Sequence, residues 1–366
     1  MTALTKVEVY TPVDIRKTSG ARNNNFNFLR LLFAALVLVA HAPELRYGDR
    51  RHELLTRAFG SISFGELAVN GFFLLSGYLI IASWVRDPSL RAFADKRVRR
   101  IVPGFLVAFL VSVLVLGPLG ATNLATYFTS LNYPLLARLA MQLRPPEVSD
   151  IFVGRPYPVL NSAMWSIAYE FRCYAIVAVL GLLGSDRQRI IWPALFLATA
   201  GLLLVPDLVG KVKFPGSWQL IGDPVFFVRL FTFFSAGACF RLFQSVIRLK
   251  EKWAALATLA VLIALFYPPV VNLVLATAGA YALFWLVFVQ IPSLAIFQRL
   301  DDVSYGLYLY GWPIQKLLDW YFPTTSLWLL APVAFIICST LGYASWRLVE
   351  SPWLQRPQRA LATHKA

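Results

Sequence analysis

Apolar runs long enough to cross a bilayer dominate this sequence and limit the folds open to it. About 20 apolar residues in a helix span the ~30 Å hydrocarbon core of a membrane. Lipid offers backbone amides no hydrogen-bond partners, so each run is predicted to form a helix. The sequence therefore predicts an all-α, polytopic transmembrane helical bundle of about ten spans. The predicted spans lie at roughly 27–43, 66–85, 101–119, 162–183, 190–209, 225–244, 254–268, 272–290, 303–321 and 327–348.

The amino-acid composition excludes several other classes of protein. Charged residues make up 14% of the chain and hydrophobic residues 58%, so a water-soluble chain could not cover its apolar surface. Soluble enzymes, disordered proteins and disulfide scaffolds are therefore disfavoured. The cysteines, Cys173, Cys239 and Cys338, lie inside apolar runs without the spacing of metal ligands, and we predict no metal site.

The distribution of positive charge predicts how the bundle is oriented. The formal net charge is +15, but we find no nucleic-acid-binding module, and the cations cluster between the apolar runs. With the N-terminus inside, the inner segments carry 22 lysines and arginines and the outer segments 9. This bias predicts that both termini are cytoplasmic and that the protein is a multi-pass protein of the cytoplasmic (inner) membrane.

Polar ends flank the apolar part of the chain, which suggests a simple division into segments. Residues 1–25 are predicted to be a disordered cytoplasmic segment, because they are polar and terminal. Residues 26–350 form the predicted transmembrane domain, and residues 351–366 a cytoplasmic tail.

One histidine and one arginine in the first span form a candidate site, because ionisable groups inside a membrane are costly. His41 and Arg30 are eleven residues apart, which places them on one helix face about 16.5 Å apart along the axis. A histidine can accept and return a proton near neutral pH. The pair suits a ligand with an anionic head and a long thin arm. The alternative is an arginine that reaches the membrane surface and an unrelated histidine.

Arginines also cluster in the inner loop RAFADKRVRRIVP (91–103). Arg97 and Arg100 are three residues apart and so are neighbours on a helix, where two guanidinium groups can bind phosphates. The alternative is ordinary anchoring of a cytoplasmic loop.

A carboxylate in the fourth span is predicted to lie near His41. If Asn161 or Ser162 caps that helix at the outer surface, Glu170 lies about 12 Å below the surface. His41 then has a similar depth, so Glu170 could orient it and stabilise its charged form. The alternative is that Glu170 pairs with Arg172 or Arg229 and only packs the bundle.

Together these motifs resemble acyltransferase family 3 of integral membrane proteins. The resemblance runs from Asn27 to Pro352. Its motifs occur in the family's order: FLRLLFAALVLVAHA, GFFLLSGYLI, KRVRRIVP, MWSIAYEF, SYGLYLYGWPI and VESPW. The resemblance implies transfer of an acyl group, usually acetyl, from cytoplasmic acyl-CoA to a hydroxyl of a cell-surface or exported glycan.

The resemblance also implies roles for individual residues. His41 is then the essential histidine, expected to act as general base, and Arg30 is its motif partner. The expected contacts of the coenzyme A phosphates are Arg97 and Arg100, with Arg30 a further candidate.

Trp165 and Glu170 match the family's Trp-Ser…Glu element. Two aromatic residues, Trp165 and Tyr169, are expected to line the acceptor mouth, since sugars stack on aromatic rings.

The sequence departs from the family pattern at one position. Gly311 stands where many members have a second histidine, so any mechanism that needs two intramembrane histidines is in doubt for this chain.

Several alternatives remain open from the sequence. A transporter of glycan or lipid precursors would also contain buried charges and proline-broken helices. A membrane subunit without enzymatic activity would use its charges only to join helices. Within the enzyme interpretation, the acceptor could be a small-molecule natural product, the donor could carry a succinyl group, and transfer could be direct or through an acyl-histidine. The acceptor, the acyl length and the oligomeric state are not determined.

Overall fold

The computed structural model describes residues 24–211 and 222–355, except for the side chains of Ser185 and Asp186. Helices make up nearly all of its regular structure, and the described residues contain no strand longer than one isolated bridge. The predicted all-α fold is therefore confirmed.

Ten helices of at least 14 residues build the described part of the chain. They are α1 (Phe26–Tyr47), α2 (Phe64–Arg86), α3 (Leu90–Gly120), α4 (Ser162–Gly181), α5 (Ser185–Leu202), α6 (Pro224–Leu242), α7 (Glu251–Ala264), α8 (Pro268–Phe288), α9 (Ser304–Tyr321) and α10 (Leu327–Gln355). One helix lies at each predicted span. Among the described residues, seven are long and apolar enough to cross a membrane, and the exceptions are α5, α7 and α9.

Three helices are too short or too polar to count as candidate membrane spans, each for a different reason. Helix α5 carries charged residues in its first turns, and α7, with 14 residues, is shorter than the roughly 20 residues that a span needs. Helix α9 includes Gln315, Lys316 and Asp319, which lower its hydropathy. Fourteen of the 18 residues of α9 are buried, and it packs against α1 and α10. Its surroundings are mostly protein, so it does not need the apolar surface of a helix that faces lipid.

Most of the two predicted terminal segments lies outside the described residues. Of the segment 1–25, only Asn24 and Asn25 are among the described residues. Of the predicted tail 351–366, residues 351–355 continue α10, and 356–366 lie outside the described residues.

The two ends of the bundle differ chemically, and we name them after two residues of α1. At the arginine end, Arg30 lies near the start of α1, and the backbone N–H of Asn25 donates to the carbonyl of Val287 at 2.8 Å. At the histidine end, beyond His41, the Arg46 guanidinium donates to Asp319 at 2.7 Å. These two hydrogen bonds therefore fix one end of α1 against α8 and the other end against α9.

Helix α2 begins at the histidine end with a capping box. The Ser63 hydroxyl accepts from the Glu66 backbone N–H at 3.1 Å, and the Glu66 carboxylate accepts from the Ser63 N–H at 3.3 Å. These bonds satisfy two of the donors that a helix N-terminus leaves unpaired. Glu66 also accepts from Arg229 of α6 at 2.9 Å, so the cap is tied to a second helix.

Helices α2 and α6 approach so closely that their backbones are in contact. A Cβ atom on Gly77 would lie 1.9 Å from the carbonyl oxygen of Phe234, and one on Gly237 would lie 2.1 Å from that of Leu74. Small residues allow this approach between membrane helices, where van der Waals packing drives association.

Replacement of Gly77 by alanine should therefore lower the free energy of unfolding by about 1–3 kcal/mol, because the added methyl group overlaps backbone atoms that cannot yield. Thermal unfolding of the purified protein in detergent measures this. Gly201→Ala is the matched control, since a Cβ there would meet no atom within 4 Å. That variant should be as stable as the wild type or slightly more so. Equal stability of the two variants would contradict the close packing.

The segment between α3 and α4 folds into the bundle instead of staying at its surface. Leu160 and Asn161 are fully buried. The Asn161 amide donates to the carbonyl of Leu309 at 2.9 Å, and the Trp312 indole donates to the carbonyl of Val159 at 3.1 Å. Helix α4 consequently begins beside the middle of α9.

Candidate active site

A cavity of about 310 Å³ opens between helices α1, α2, α3, α4 and α9 on the arginine side of the bundle. Its rim is basic and its inner wall is aromatic and polar. The basic residues are Arg30, Lys96, Arg97, Arg99 and Arg100. The inner wall includes Phe72, Ser76, Ser166, Glu170, Tyr174 and Tyr308. The volume lies within the range of small-molecule sites.

Two of the predicted arginines share one carboxylate, which the sequence analysis missed. Asp302, just before α9, accepts from Arg30 at 2.7 Å and from Arg100 at 2.5 Å. Burial alone would raise the pKa of the Asp302 carboxyl, but the two guanidinium groups outweigh it and hold that pKa well below its usual range. Asp302 thus fixes both arginines at the rim and neutralises part of their charge.

Arg97 is arranged differently from its two neighbours. Its guanidinium lies over the rings of Phe93 and Tyr174, at 5.8 and 5.9 Å, and donates to the Ser83 hydroxyl at 3.5 Å. Its Nε is buried without a hydrogen-bond partner, and no carboxylate among the described residues forms an ion pair with it. Arg97 is therefore the rim cation with the most unused capacity to bind an anion.

Glu170 lies in the wall of this cavity. Its carboxylate accepts from the Ser76 hydroxyl at 2.7 Å and from the Tyr174 hydroxyl at 2.5 Å. The bond from Ser76 joins α4 to α2, and the bond from Tyr174 lies within α4. Neither alternative partner, Arg172 or Arg229, forms an ion pair with it in the described part of the chain; Arg229 pairs with Glu66.

His41 lies further toward the histidine end and does not line the cavity. Its Nδ1 is 3.4 Å from Glu44 Oε2, and its ring meets the edge of Trp312 with the centroids 4.9 Å apart. Its side chain is 15% exposed. Arg30 reaches Asp302 and His41 reaches Trp312, so both side chains face α9 or the segment just before it, as their predicted common helix face requires.

The structure does not bring His41 and Glu170 together, so the predicted contact between them is corrected. The prediction measured depth from Asn161 as though this residue were at the outer surface. Asn161 is instead buried beside Leu309, close to the level at which His41 meets Trp312. Glu170 is nine residues further along α4, which carries it about 13.5 Å toward the arginine end. The carboxylate beside His41 is that of Glu44.

Three aromatic side chains lie between the level of Arg30 and the level of His41 in the bundle, and we call Phe33, Phe72 and Tyr308 the aromatic layer. The ring centroids of Phe33 and Phe72 are 5.5 Å apart, and those of Phe72 and Tyr308 are 6.0 Å apart. Phe33 lies eight residues before His41 on α1, and Tyr308 lies one turn before Trp312 on α9. Phe72 and Tyr308 line the cavity. The layer therefore lies about one turn before Trp312 on α9 and about two turns before His41 on α1.

The predicted acceptor residues occupy another part of the bundle. The Trp165 ring packs against Phe226, with centroids 5.0 Å apart, and the Tyr169 hydroxyl accepts from the Asp223 backbone N–H at 2.8 Å. The Arg172 guanidinium lies 5.0 Å from the centre of the Tyr169 ring. These contacts place Trp165 and Tyr169 against the start of α6, and no direct contact joins them to His41 in the described residues.

Gly311, where many members of the family that this sequence resembles have a histidine, leaves open space. A Cβ atom built on it would meet nothing within 4 Å. In the described part of the chain, no group of three or more histidine, cysteine, aspartate or glutamate side chains could bind a metal ion.

A comparison with protein families identifies the kind of protein. Residues 23–346 match the acyltransferase domain that defines acyltransferase family 3. The chain belongs to acyltransferase family 3. The match spans almost all of the described helices and confirms both the predicted family and the predicted enzyme class, a membrane acyltransferase.

Two curated relatives match nearly the whole length of this family 3 protein. The O-acetyl transferase of Shigella phage Sf6 is 26% identical over 362 residues, which cover 93% of this chain and 99% of the relative. Nodulation protein 10 of Rhizobium leguminosarum bv. viciae is 27% identical over 367 residues, covering 91% and 94%. No solved structure gives a significant match.

Proposed function

We propose that this family 3 protein is an O-acetyltransferase that moves an acetyl group from cytoplasmic acetyl-CoA to a hydroxyl of a sugar-containing acceptor. The phage relative is named for O-acetyl transfer, which supports the choice of group. The observation that carries the proposal is the basic-rimmed cavity aligned, along one face of α1, with a histidine deeper in the bundle.

In this proposal all ten long helices cross the cytoplasmic membrane, and both termini and the arginine end face the cytoplasm. The basic cluster around Arg97 and Arg100 favours that orientation by the positive-inside rule. The donor, which is made in the cytoplasm, then meets the cavity directly.

The donor binds with its phosphates at the basic rim and its pantetheine arm in the cavity. Arg97 provides the principal contact, because its charge is not neutralised by a carboxylate, and Arg30 and Arg100 add positive potential. The cavity volume suits the thin arm, while the nucleotide part lies outside at the rim. Glu170 contacts the arm from the wall, where Ser76 and Tyr174 fix its carboxylate.

Transfer requires the thioester to pass the aromatic layer and reach His41. The imidazole removes the proton from the acceptor hydroxyl, and the oxygen attacks the thioester carbonyl carbon. The carbon–sulfur bond then breaks, and the imidazolium returns the proton to the departing thiolate. The products are the O-acetyl ester and free coenzyme A. The sugar-containing acceptor arrives from the histidine end, and Trp165 and Tyr169, beside the start of α6, are candidates to bind it.

Membrane vesicles of opposite orientation test this function. Acetyl-CoA labelled in the acetyl group cannot cross the vesicle membrane, so only inside-out vesicles should incorporate base-labile label into their glycan. Vesicles from a strain without the gene are the control. Equal labelling of right-side-out vesicles would overturn the proposed orientation. Glycan transport without acetyl transfer would overturn the proposed reaction in favour of a transporter.

Replacement of Arg97 by alanine should raise the KM for acetyl-CoA roughly tenfold or more, since a hydrogen bond to a charged group contributes about 1.5–3 kcal/mol. The turnover number should change much less. Initial rates at varied acetyl-CoA concentration measure both. Arg91→Ala is the matched control, because Arg91 lies on the same helix but is exposed and outside the cavity. Equal KM values for the two variants would remove Arg97 from the donor site.

A further inference from the structure

The nearest carboxylate to His41 is one that neither the sequence analysis nor the family resemblance selected. Glu44 lies one turn after His41 on α1, and its Oε2 is 3.4 Å from His41 Nδ1. A carboxylate can only accept, so this contact is a hydrogen bond only when Nδ1 carries the proton. In the neutral imidazole, Nε2 is then the nitrogen free to accept a proton.

Glu44 is itself fixed in place by contacts from other segments. It is 6% exposed, and its second oxygen, Oε1, accepts from Arg50 Nε at 2.9 Å. Arg50 also lies 3.5 Å from Glu66, which accepts from Arg229 of α6 at 2.9 Å. Glu44, Arg50, Glu66 and Arg229 thus form a chain of alternating charges. Because Oε1 of Glu44 accepts from Arg50, Oε2 is the oxygen that faces His41.

The ring of His41 also contacts α9. The edge-on contact with Trp312 limits rotation of the imidazole, and the Trp312 indole is anchored by the Val159 carbonyl. The side chain of His41 would have to adopt another conformation to bring Nε2 to Glu44 in place of Nδ1. Packing and hydrogen bonding thus favour the same orientation of the ring.

We infer that Glu44 is a positioning residue that fixes the Nδ1–H tautomer of His41 and presents Nε2 as the base. This rests on the proposed role of His41 in acetyl transfer. Glu44 also stabilises the imidazolium that forms while the proton is held, in the way that an orienting carboxylate does in other acid–base sites. It therefore takes the role that the sequence analysis gave to Glu170.

Kinetics of Glu44→Gln test the consequence for catalysis. The turnover number should fall on the order of 100-fold, because the amide can offer His41 either an acceptor or a donor and no longer selects one tautomer. The KM for acetyl-CoA should stay unchanged, since Glu44 does not line the donor cavity. The matched control is Asp319→Asn, which removes another buried carboxylate that binds an arginine of α1 but does not contact His41. Equal losses in the two variants would overturn the inference.

Nitrogen-15 NMR of histidine-labelled protein in nanodiscs tests the tautomer without using activity. The chain has three histidines, and His52→Gln and His364→Gln assign the His41 signals. In the wild type, at a pH where the ring is neutral, we expect protonated Nδ1 and unprotonated Nε2. Glu44→Gln and Glu44→Ala should give mixed tautomers. An unchanged tautomer in both would overturn the positioning role, whereas retained activity in His41→Ala would overturn the proposed function instead.

Discussion

Replacing His41 with alanine should reduce acetyl transfer by about 10²- to 10⁴-fold at equal expression, the range that general acid–base catalysis contributes. The loss should be in turnover, because His41 does not line the donor cavity and the arginines at its rim remain in place. Incorporation of labelled acetyl groups into glycan by membranes that carry equal amounts of each variant measures the effect.

A second histidine at the same end of the bundle provides the control. His52 lies in the short turn Arg50–His52 and is exposed, with its ring 4.5 Å from that of Tyr47. His52→Ala should keep nearly full activity, while binding of acetyl-CoA should be the same in both variants and the wild type. Wild-type turnover in His41→Ala would reject the proposed mechanism.

Removal of Asp302 should destabilise the protein by about 3–5 kcal/mol, the typical cost of leaving buried charges unpaired. Asp302→Ala leaves Arg30 without a carboxylate partner among the described residues, and leaves Arg100 with Glu350 alone, at 3.9 Å. Thermal unfolding in detergent measures the loss. Asp301→Ala is the control, because the neighbouring Asp301 meets Arg347 at 3.5 Å on an exposed surface, where an ion pair is worth about 0–1 kcal/mol.

The double variant Arg30→Met, Asp302→Leu distinguishes unpaired charge from lost packing, because it removes the guanidinium that would be left unpaired while Arg100 keeps Glu350 at 3.9 Å. If the unpaired guanidinium of Arg30 causes the destabilisation, the double variant should be more stable than Asp302→Ala. Equal stability would show that packing around the carboxylate dominates.

The pH dependence of this ion pair has a defined sign. The pKa of Asp302 is lowered from its ordinary value near 3.8, so the pairing stabilises fully above that pH and is lost as the pH falls below it. The stability difference between the wild type and Asp302→Ala should therefore shrink as the pH is lowered below about 3.8. A difference that stays constant over that acidic range would contradict the lowered pKa.

The all-α fold and the positions of its long helices could be predicted, because lipid requires each segment by itself to be apolar and helical. Apolar length sets the position of each helix, and one helix lies at each predicted span, although only seven of the described helices are long and apolar enough to cross a membrane. Helix α9 shows the limit of this reasoning. Gln315, Lys316 and Asp319 give it low hydropathy, since most of its surface meets other helices, and that depends on packing rather than on the helix itself.

The site could be predicted only in part, because residue spacing gives position along one helix but not between helices. The shared face of Arg30 and His41 follows from an interval of eleven residues. Glu44, one turn after His41, could have been found by the same rule. Asp302 could not, since it is more than 270 residues from Arg30 in sequence. Glu170 was placed at the wrong depth because nothing in the sequence shows that Asn161 is drawn into the bundle.

The aromatic layer also bears on how the cell keeps its ion gradients. An enzyme whose two substrates arrive from opposite compartments contains, in effect, two half-channels that end on the same residue. If both were open together, protons and small solutes would leak through the protein and dissipate the membrane potential. In the proposed reaction, the uncharged rings of Phe33, Phe72 and Tyr308, which pack against one another, would provide the seal that prevents this leak. The need to prevent ion leakage would then restrict which side chains these three positions can carry, independently of the reaction rate.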